Sequence, residues 1–283
     1  MIVVGILGIS LSAIFVKYST APSAVTAAFR LCWTVLLMSP VVWGKKDVRE
    51  EHLHVNKKEF CLSAFSGLFL AIHFVLWFES LQHTSVASST SIVCTEVIWV
   101  ALGFCMFLKG KLSKKAILAI LITFAGSLMI AYADSSAGGV HLYGDFLALV
   151  AAVAVAVYTL IGRIVRKNVS TNVYTYVVYM SCAMVLFITC LVQGYRLFDY
   201  GMSAVVVGLL LSIFSTILGH SIFSWCLKYF SPAFVSASKL CEPVVAAIFA
   251  GFLFGELPVL LQVVGGIMII GGVCYYSKIE REE

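Results

Sequence analysis

Charged residues are scarce in this sequence: Asp, Glu, Lys and Arg make up 12% of its 283 residues, whereas 61% are hydrophobic and the mean hydropathy is +1.02. A water-soluble globule needs more polar surface than this composition supplies. The composition therefore excludes a soluble fold and indicates that most of the surface faces lipid.

Signatures of catalysis and of metal binding are also missing. The nine cysteines form no CxxC pair and no Cys/His spacing suited to zinc. The chain has no GxxxxGKS/T phosphate loop, no GxSxG motif and no HExxH motif. We therefore expect no metal, no cofactor, no ATP-driven pumping by this chain and no enzymatic activity.

What the sequence has instead is a series of apolar runs, each about as long as the roughly 20 residues that cross a bilayer as a helix. The runs do not alternate apolar and polar residues, which excludes a transmembrane barrel. We predict an all-α integral membrane protein with ten transmembrane helices, at residues 1–19, 22–43, 60–81, 84–108, 115–132, 143–165, 171–194, 203–228, 232–254 and 259–277. The first run has no basic residues before it, so we interpret it as a retained helix rather than a signal peptide.

Basic residues are distributed unevenly between the predicted loops. With a cytoplasmic N-terminus, 15 of the 19 Lys and Arg residues fall in inner loops or in the C-terminal tail. The positive-inside rule therefore predicts a bacterial-type inner-membrane protein with both termini in the cytoplasm. In this topology Lys57 and Glu283 are inside and Ala137 is outside. The net charge of +5 is then explained by topology, and no nucleic-acid partner is expected.

Two halves of the chain resemble each other when it is shifted by 146 residues. The shift aligns Leu81 with Leu227, Ser85 with Ser231, Ala87 with Ala233, Glu96 with Glu242, Ala101 with Ala247 and Gly126 with Gly272. Five spans per half is an odd number, so we predict two inverted five-helix repeats, at 1–134 and 142–278. Inverted halves provide one shape open to each side, with a site between them near the midplane, which favours a transporter.

One stretch in the second half carries a resemblance to a known family. Residues 236–247, with the sequence SASKLCEPVVAA, precede Gly255-Glu256 and a glycine-rich last helix, and Arg30 lies within the stretch AAFRL of the second helix. This arrangement resembles the EamA-type members of the drug/metabolite transporter superfamily. The resemblance implies ten helices and transport of small organic solutes, amino acids among them. The sequence departs from the family pattern at Ile9-Ser10-Leu11-Ser12 and at Thr95-Glu96-Val97, which lacks the usual proline.

Ionisable groups within the predicted spans are the candidate site residues. Each costs about 2.5–3.5 kcal/mol on insertion scales, so such groups normally face a bundle interior or a water-filled cavity. Together with two tryptophans that are able to line a pocket, the candidates are Arg30, His73, Trp77, Glu96, Trp99, His220, Lys239 and Glu242.

Each candidate also has a purely structural interpretation. Arg30 is able to anchor its helix to carbonyls or a carboxylate without touching a solute. Lys239 and Glu242 are spaced i, i+3, so we predict that they neutralise each other on one helix. The two histidines are candidates for proton relay or for hydrogen-bonded packing, and the tryptophan rings for a pocket wall or for packing.

Glu96 and Glu242 are predicted to line a transport pathway from opposite halves. Because Glu96 has no charged neighbour nearby in sequence, we predict that it is the better proton carrier of the two. Mid-span groups of both signs suit a zwitterion such as an amino acid.

The leading hypothesis is therefore a secondary transporter of a small metabolite that works by alternating access, as a monomer or a homodimer, with protons as a candidate coupling ion. The alternatives are an organic-cation efflux transporter, an intramembrane enzyme acting on lipid, and a membrane scaffold.

Overall fold

The structure is a computed structural model that describes residues 1–84, 86–134, 142–242, 244–245, 248–249 and 259–282. Within these ranges the chain is almost entirely helical and contains no strand, which confirms the predicted all-α class. In chain order the helices are α1 (Ile2–Ser10), α2 (Ser12–Lys17), α3 (Ser23–Gly44), α4 (Lys46–His54), α5 (Lys57–His83), α6 (Val86–Val93), α7 (Glu96–Phe107), α8 (Lys114–Asp134), α9 (Leu142–Val165), α10 (Thr171–Val192), α11 (Gly201–Leu210), a π-helical segment (Leu211–His220), α12 (Ser221–Cys226), α13 (Pro232–Lys239) and α14 (Leu260–Glu282).

Six helices in the described part of the chain are long and apolar enough to cross a bilayer. They are Ser23–Gly44, Lys57–His83, Leu142–Val165, Thr171–Val192, Gly201–Cys226 and Leu260–Glu280, and each lies on one of the predicted spans. Their outward side chains are apolar: Leu36, Phe146 and Ile188, for example, are 61%, 62% and 56% exposed. An apolar surface of this kind is suited to lipid rather than to water, so the chain is a multi-pass membrane protein.

Three of the other four predicted spans are interrupted, which the prediction of continuous helices did not foresee. Within 1–19, α1 and α2 are separated at Leu11, and within 84–108, α6 and α7 are separated by Cys94 and Thr95. Within 232–254, α13 ends at Lys239. Most of the rest of that span lies outside the described residues, as do Ala137 and Glu283. The fourth span, 115–132, corresponds to α8.

The breaks after α6 and α13 have the same local structure. The Thr95 N–H donates to the Ile92 carbonyl at 3.0 Å, and the Cys241 N–H donates to the Ser238 carbonyl at 3.2 Å. Both are bonds to the third residue back, which tighten the last turn of a helix and stop the α-helical pattern. The two pairs are 146 residues apart, so Glu96 and Glu242 each follow a break at the same position.

The predicted span 203–228 contains a wider π-helical segment in its middle. The Thr216 hydroxyl donates to the Leu211 carbonyl and the Ser221 hydroxyl donates to the Thr216 carbonyl, each five residues back and at 3.2 Å. Helix α1 packs closely against this segment. A Cβ added to Gly8 would be 2.5 Å from the Phe214 carbonyl oxygen, so only glycine fits there. Single π turns are frequent at functional sites.

Close helix contacts hold the bundle together, and two of them involve glycines that the repeat aligns. Helix α8 packs along α14. A Cβ added to Gly126 would lie 2.6 Å from the Gly265 carbonyl oxygen, and one added to Gly272 would crowd Thr123. Small residues of this kind let membrane helices approach closely.

Gly126→Ala is therefore expected to lower the melting temperature in detergent, because the added methyl group meets backbone atoms that do not yield easily. Overpacking of this kind costs about 1–3 kcal/mol. Gly271→Ala is the matched control, since nothing lies within 4 Å of a Cβ built there. Equal melting temperatures for the two variants would contradict the α8–α14 contact.

Candidate functional site

A cavity of about 60 Å³ lies where the interrupted helices and the π-helical segment meet. A buried water needs roughly 10–15 Å³ on the same measure, so the cavity has room for several waters or for the polar end of a small solute. Its wall is made of Ile9, Ser12, Arg30, His73, Trp77, Thr90, Val93, Cys94, Glu96, Val155, Ser215, His220, Phe223, Ser236, Lys239, Leu240 and Glu242.

The structure brings seven of the eight predicted site residues to this one wall, although they come from four helices (α3, α5, α7 and α13), the π-helical segment and the stretch after α13. Trp99 is the exception. Its ring is 37% exposed and its Nε1–H donates to Thr95 Oγ1 at 3.3 Å, away from the cavity wall. Trp99 therefore lies outside the cavity wall that the other seven residues share.

The carboxylate of Glu96 is the most heavily hydrogen-bonded group in the wall. Its Oε1 accepts from Lys239 Nζ at 2.8 Å, from Ser236 Oγ at 3.0 Å and from Thr159 Oγ1 at 3.1 Å. The Lys239 and Glu96 side chains are only 12% and 9% exposed. No described residue donates to the other carboxylate oxygen, Oε2.

This contact corrects two predictions made from the sequence. Lys239 pairs with Glu96 and not with Glu242, and Glu96 is not a carboxylate without a charged neighbour. The i, i+3 rule holds within a continuous helix, but α13 ends at Lys239, so Glu242 is not on the same helical face. The reason for preferring Glu96 as a proton carrier was therefore wrong.

The ends of two half-helices favour the Lys239–Glu96 pair. Glu96 is the first residue of α7 and Lys239 is the last residue of α13. A helix N-terminus carries a partial positive charge and a C-terminus a partial negative charge, each typically contributing about 0.3–1 kcal/mol to a matching side chain. Each charge thus lies at the helix end that stabilises it.

Arg30 is buried in the wall, and none of the described carboxylates pairs with it. It is 1% exposed, its Nε–H donates to Thr216 Oγ1 at 2.7 Å, and its Nη1 donates to Ser12 Oγ at 3.4 Å. Its guanidinium carbon lies 4.1 Å from the centre of the Phe74 ring, a cation–π contact. Its Nη2 has no hydrogen-bond partner in the part of the chain that the structure describes. Within the described part of the chain, no carboxylate oxygen comes within ion-pair distance of Arg30.

Polar atoms without partners are concentrated around the cavity. Five cavity residues each have a buried nitrogen or oxygen with no hydrogen-bond partner among the described residues; they are Arg30, Trp77, Thr90, Ser215 and His220. Buried polar groups in native proteins are nearly always hydrogen-bonded, so each exception requires an explanation. Donors and acceptors gathered around a cavity are explained by a polar solute or by ordered water.

The two histidines have different surroundings. His73 Nδ1 is 3.1 Å from the Ala151 carbonyl oxygen, which can only accept, so Nδ1 carries the proton. The His73 ring also stacks on Trp77, with centroids 5.9 Å apart. His220 contacts Phe74 edge-on, and its Nδ1 has no partner. His73 is thus fixed by packing, whereas His220 keeps a polar atom for the cavity.

Several residues that bind the charged groups of the cavity wall were not predicted from the sequence, because hydroxyl side chains within an apolar helix give no signal of their own. Ser236 and Thr159 bind Glu96, and Ser12 and Thr216 bind Arg30. Ser236 alone had a usable signal, since it lies one helical turn before Lys239 on α13.

Comparison with known proteins gives the same family for both halves of the chain. The model of the EamA-like transporter family matches residues 1–132 and 142–277. An uncharacterized transporter of Archaeoglobus fulgidus is 25% identical over 84% of this chain and 81% of its own length. An uncharacterized transporter of Clostridium kluyveri is 24% identical over 97% and 93%. The uncharacterized transporter YxxF of Bacillus subtilis is 25% identical over 82% and 70%.

A solved crystal structure has the same fold. It superposes with a TM-score of 0.81 over 99% of this chain and 96% of its own. The sequence identity is 16%, so the likeness extends to the fold alone.

Proposed function

Because the chain belongs to the EamA-like transporter family, we propose that it is a secondary transporter that moves a small zwitterion, an amino acid or a related metabolite, by alternating access. It works without ATP hydrolysis and is not an enzyme. The single observation that carries the choice of solute is Arg30, a buried guanidinium that faces the cavity and has no carboxylate partner among the described residues.

A solute carboxylate would complete the environment of Arg30. Burying an arginine costs several kcal/mol unless a partner compensates, and the described residues give it only two hydroxyls and a ring face. A guanidinium binds a carboxylate through two parallel hydrogen bonds. Nη2, which has no partner, and Nη1, with its long 3.4 Å bond to Ser12, are the two nitrogens available for such a pair.

The overall charge of the cavity supports a zwitterion rather than a cation. Its wall has two basic residues, Arg30 and Lys239, and two acidic residues, Glu96 and Glu242. Lys239 and Glu96 neutralise each other directly. One positive and one negative group remain, which is the complement of a solute that has one charge of each sign.

Alternating access is supported by the duplicated breaks around the cavity. The half-helices α6 and α13 end 146 residues apart, and the residues that follow each break line the same cavity. Two related halves that meet at a central site provide two alternative closures, one toward each side of the membrane. We propose that these halves are the inverted five-helix repeats, 1–134 and 142–278.

Contacts between loops support the proposed ten crossings by grouping the loops into two sets, and the positive-inside rule makes the set that includes the C-terminal tail cytoplasmic. Predicted inner segments contact one another, as in Asn168 Nδ2 to Glu59 Oε1 at 2.8 Å and Ser231 Oγ to Glu280 Oε2 at 2.8 Å. Predicted outer segments contact one another through Thr20 and Ser203 at 2.9 Å and through Thr84 and Asp145 at 2.8 Å. No hydrogen bond between described side chains joins an inner loop to an outer loop.

Cysteine labelling in cells tests this topology. Single cysteines at Lys57 and Glu283 are expected to react only after the membrane is permeabilised, and one at Ala137 is expected to react with an impermeant maleimide in intact cells. The native cysteines are first replaced, and total labelling after solubilisation is the control. An outward C-terminus would overturn both the topology and the inverted repeat.

Ligand-dependent melting in detergent tests the proposed solute class. We expect members of a panel of L-amino acids to raise the melting temperature by several degrees, since a ligand at about 100 times its Kd adds roughly 2.7 kcal/mol. Uptake or efflux of the best stabilisers in proteoliposomes, with and without a pH gradient, then measures transport and its coupling. Tetraphenylphosphonium and ethidium represent organic-cation efflux, and phospholipid headgroups represent a lipid enzyme. Stabilisation by the cations with none by amino acids would replace the zwitterion proposal by efflux of organic cations.

A further inference from the structure

The two breaks that flank the cavity have the same layout. Each half has an eight-residue helix, α6 or α13, then two non-helical residues, then a glutamate, Glu96 or Glu242. The last residue of the short helix differs: it is Val93 in the first half and Lys239 in the second. Both of these residues line the cavity.

In the inverted repeat proposed above, Lys239–Glu96 has a symmetry-related counterpart, and Val93 leaves that counterpart without its cation. Lys239, at the end of α13, reaches across to the glutamate of the other half, Glu96. When two halves are related by a two-fold axis, each contact from a position in the first half to a position in the second has a counterpart with the two positions exchanged. The counterpart here would join position 93 to Glu242, but Val93 offers only hydrocarbon.

The surroundings of Glu242 agree with this reasoning. Within the described part of the chain, no side chain donates a hydrogen bond to its carboxylate and no basic nitrogen lies within 4.0 Å of it. The other charged residues of the cavity wall are Arg30, Glu96 and Lys239. Lys239 Nζ already contacts Glu96 at 2.8 Å, and among the described residues no nitrogen of Arg30 lies within 4.0 Å of the Glu242 carboxylate.

We infer that Glu242 is the subsite for the primary ammonium group of the solute, which takes the place that a lysine ammonium would have if position 93 matched position 239. The inference rests on the proposed function and assigns the second end of the zwitterion. A primary ammonium, like Lys Nζ, has three N–H donors for a carboxylate. Valine at position 93 keeps the space beside Glu242 open to such a group. The solute thus bridges Arg30 and Glu242, and the Lys239–Glu96 pair is part of the wall.

The direct test is to supply the missing cation from the chain itself. V93K places an amine opposite Glu242, and V93M is the matched control, of similar length but without charge. E242Q removes the carboxylate, and V93K/E242Q combines the two changes. The probes are n-propylammonium chloride, sodium propionate and an equimolar mixture of the 20 standard L-amino acids, with NaCl as the ionic-strength control. The readout is the melting temperature in detergent.

We expect wild type and V93M to be stabilised by all three probes. V93K is expected to fold, to lose at least tenfold in apparent affinity for n-propylammonium and for the amino acids, and to keep its response to propionate. E242Q is expected to show the same selective loss. We expect E242Q to lower the melting temperature more in the V93K background than in wild type. In V93K/E242Q the introduced amine has no carboxylate partner.

Two results would overturn the inference: n-propylammonium binding that is the same in wild type, V93K and E242Q, or no coupling between the two substitutions in melting temperature. Failure of the proposed function gives a different pattern. If no amino acid binds but V93K and E242Q still abolish n-propylammonium binding, the cation subsite stands and the zwitterionic solute is wrong.

Discussion

Lys239→Met is expected to be the most destabilising single substitution at the cavity. It leaves the Glu96 carboxylate buried with two hydroxyl donors and without its cation. Removing one partner of a buried ion pair typically costs about 3–5 kcal/mol, because the other charge remains uncompensated. That is a large fraction of the stability of an ordinary protein. Folded yield and melting temperature in detergent measure the loss.

The double variant Glu96→Gln/Lys239→Met separates the charge effect from packing. It removes both charges and leaves groups of similar size, and replacing a whole buried pair by neutral groups is often close to neutral in stability. We therefore expect the double variant to recover most of the melting temperature that Lys239→Met loses. If the double variant is as unstable as Lys239→Met alone, Lys239 stabilises the protein through its hydrocarbon stem and not through Glu96.

Much of the fold follows directly from the sequence. Runs of about 20 apolar residues have few structural solutions in a bilayer, because every backbone N–H and C=O must be satisfied within the segment. For this reason the spans at 22–43, 60–81 and 143–165 correspond closely to α3, α5 and α9. Charged residues inside apolar runs indicated the site equally directly. A charge in hydrocarbon costs free energy, so it must lie in a polar environment such as a cavity.

The breaks in the helices could not be predicted in the same way. Hydropathy records which residues are apolar, but it does not record the backbone path, and Cys94-Thr95 is as compatible with a continuous helix as with a turn. The error then carried over to the site. The sequence pairs Lys239 with Glu242 only if α13 continues beyond Lys239, and it does not.

The sequence also did not predict whether a side chain points toward the cavity or toward lipid. Trp77 and Trp99 both lie in apolar runs, but Trp77 is 6% exposed and lines the cavity, whereas Trp99 is 37% exposed. In a membrane protein the lipid-facing and inward-facing sides are both apolar, so hydrophobic periodicity does not distinguish them as it does in a soluble helix.

Arg30→Gln is expected to have the largest effect on transport. The variant keeps a polar side chain of similar length and removes the charge that we propose binds the solute carboxylate. Loss of two charge-assisted hydrogen bonds costs about 3 kcal/mol or more, which corresponds to at least roughly a 100-fold loss of affinity. Arg30→Lys keeps the charge but not the planar fork, so we expect it to fall between wild type and Arg30→Gln. Propionate binding and amino-acid flux in proteoliposomes are the measurements.

The matched control is Arg163→Gln, because Arg163 donates to the Leu227 and Phe230 carbonyls near the inner loop and does not line the cavity. It is expected to lower stability without a selective loss of propionate binding. Arg30→Gln is expected to lose binding of propionate and amino acids while it keeps binding of n-propylammonium. E242Q is expected to lose n-propylammonium and amino acids while it keeps propionate. Opposite effects on propionate and n-propylammonium binding distinguish a carboxylate subsite from a structural arginine. If Arg30 only anchored α3 through Thr216, its replacement would weaken the binding of all three probes equally. A folded Arg30→Gln protein that binds propionate as wild type does would exclude Arg30 from the site.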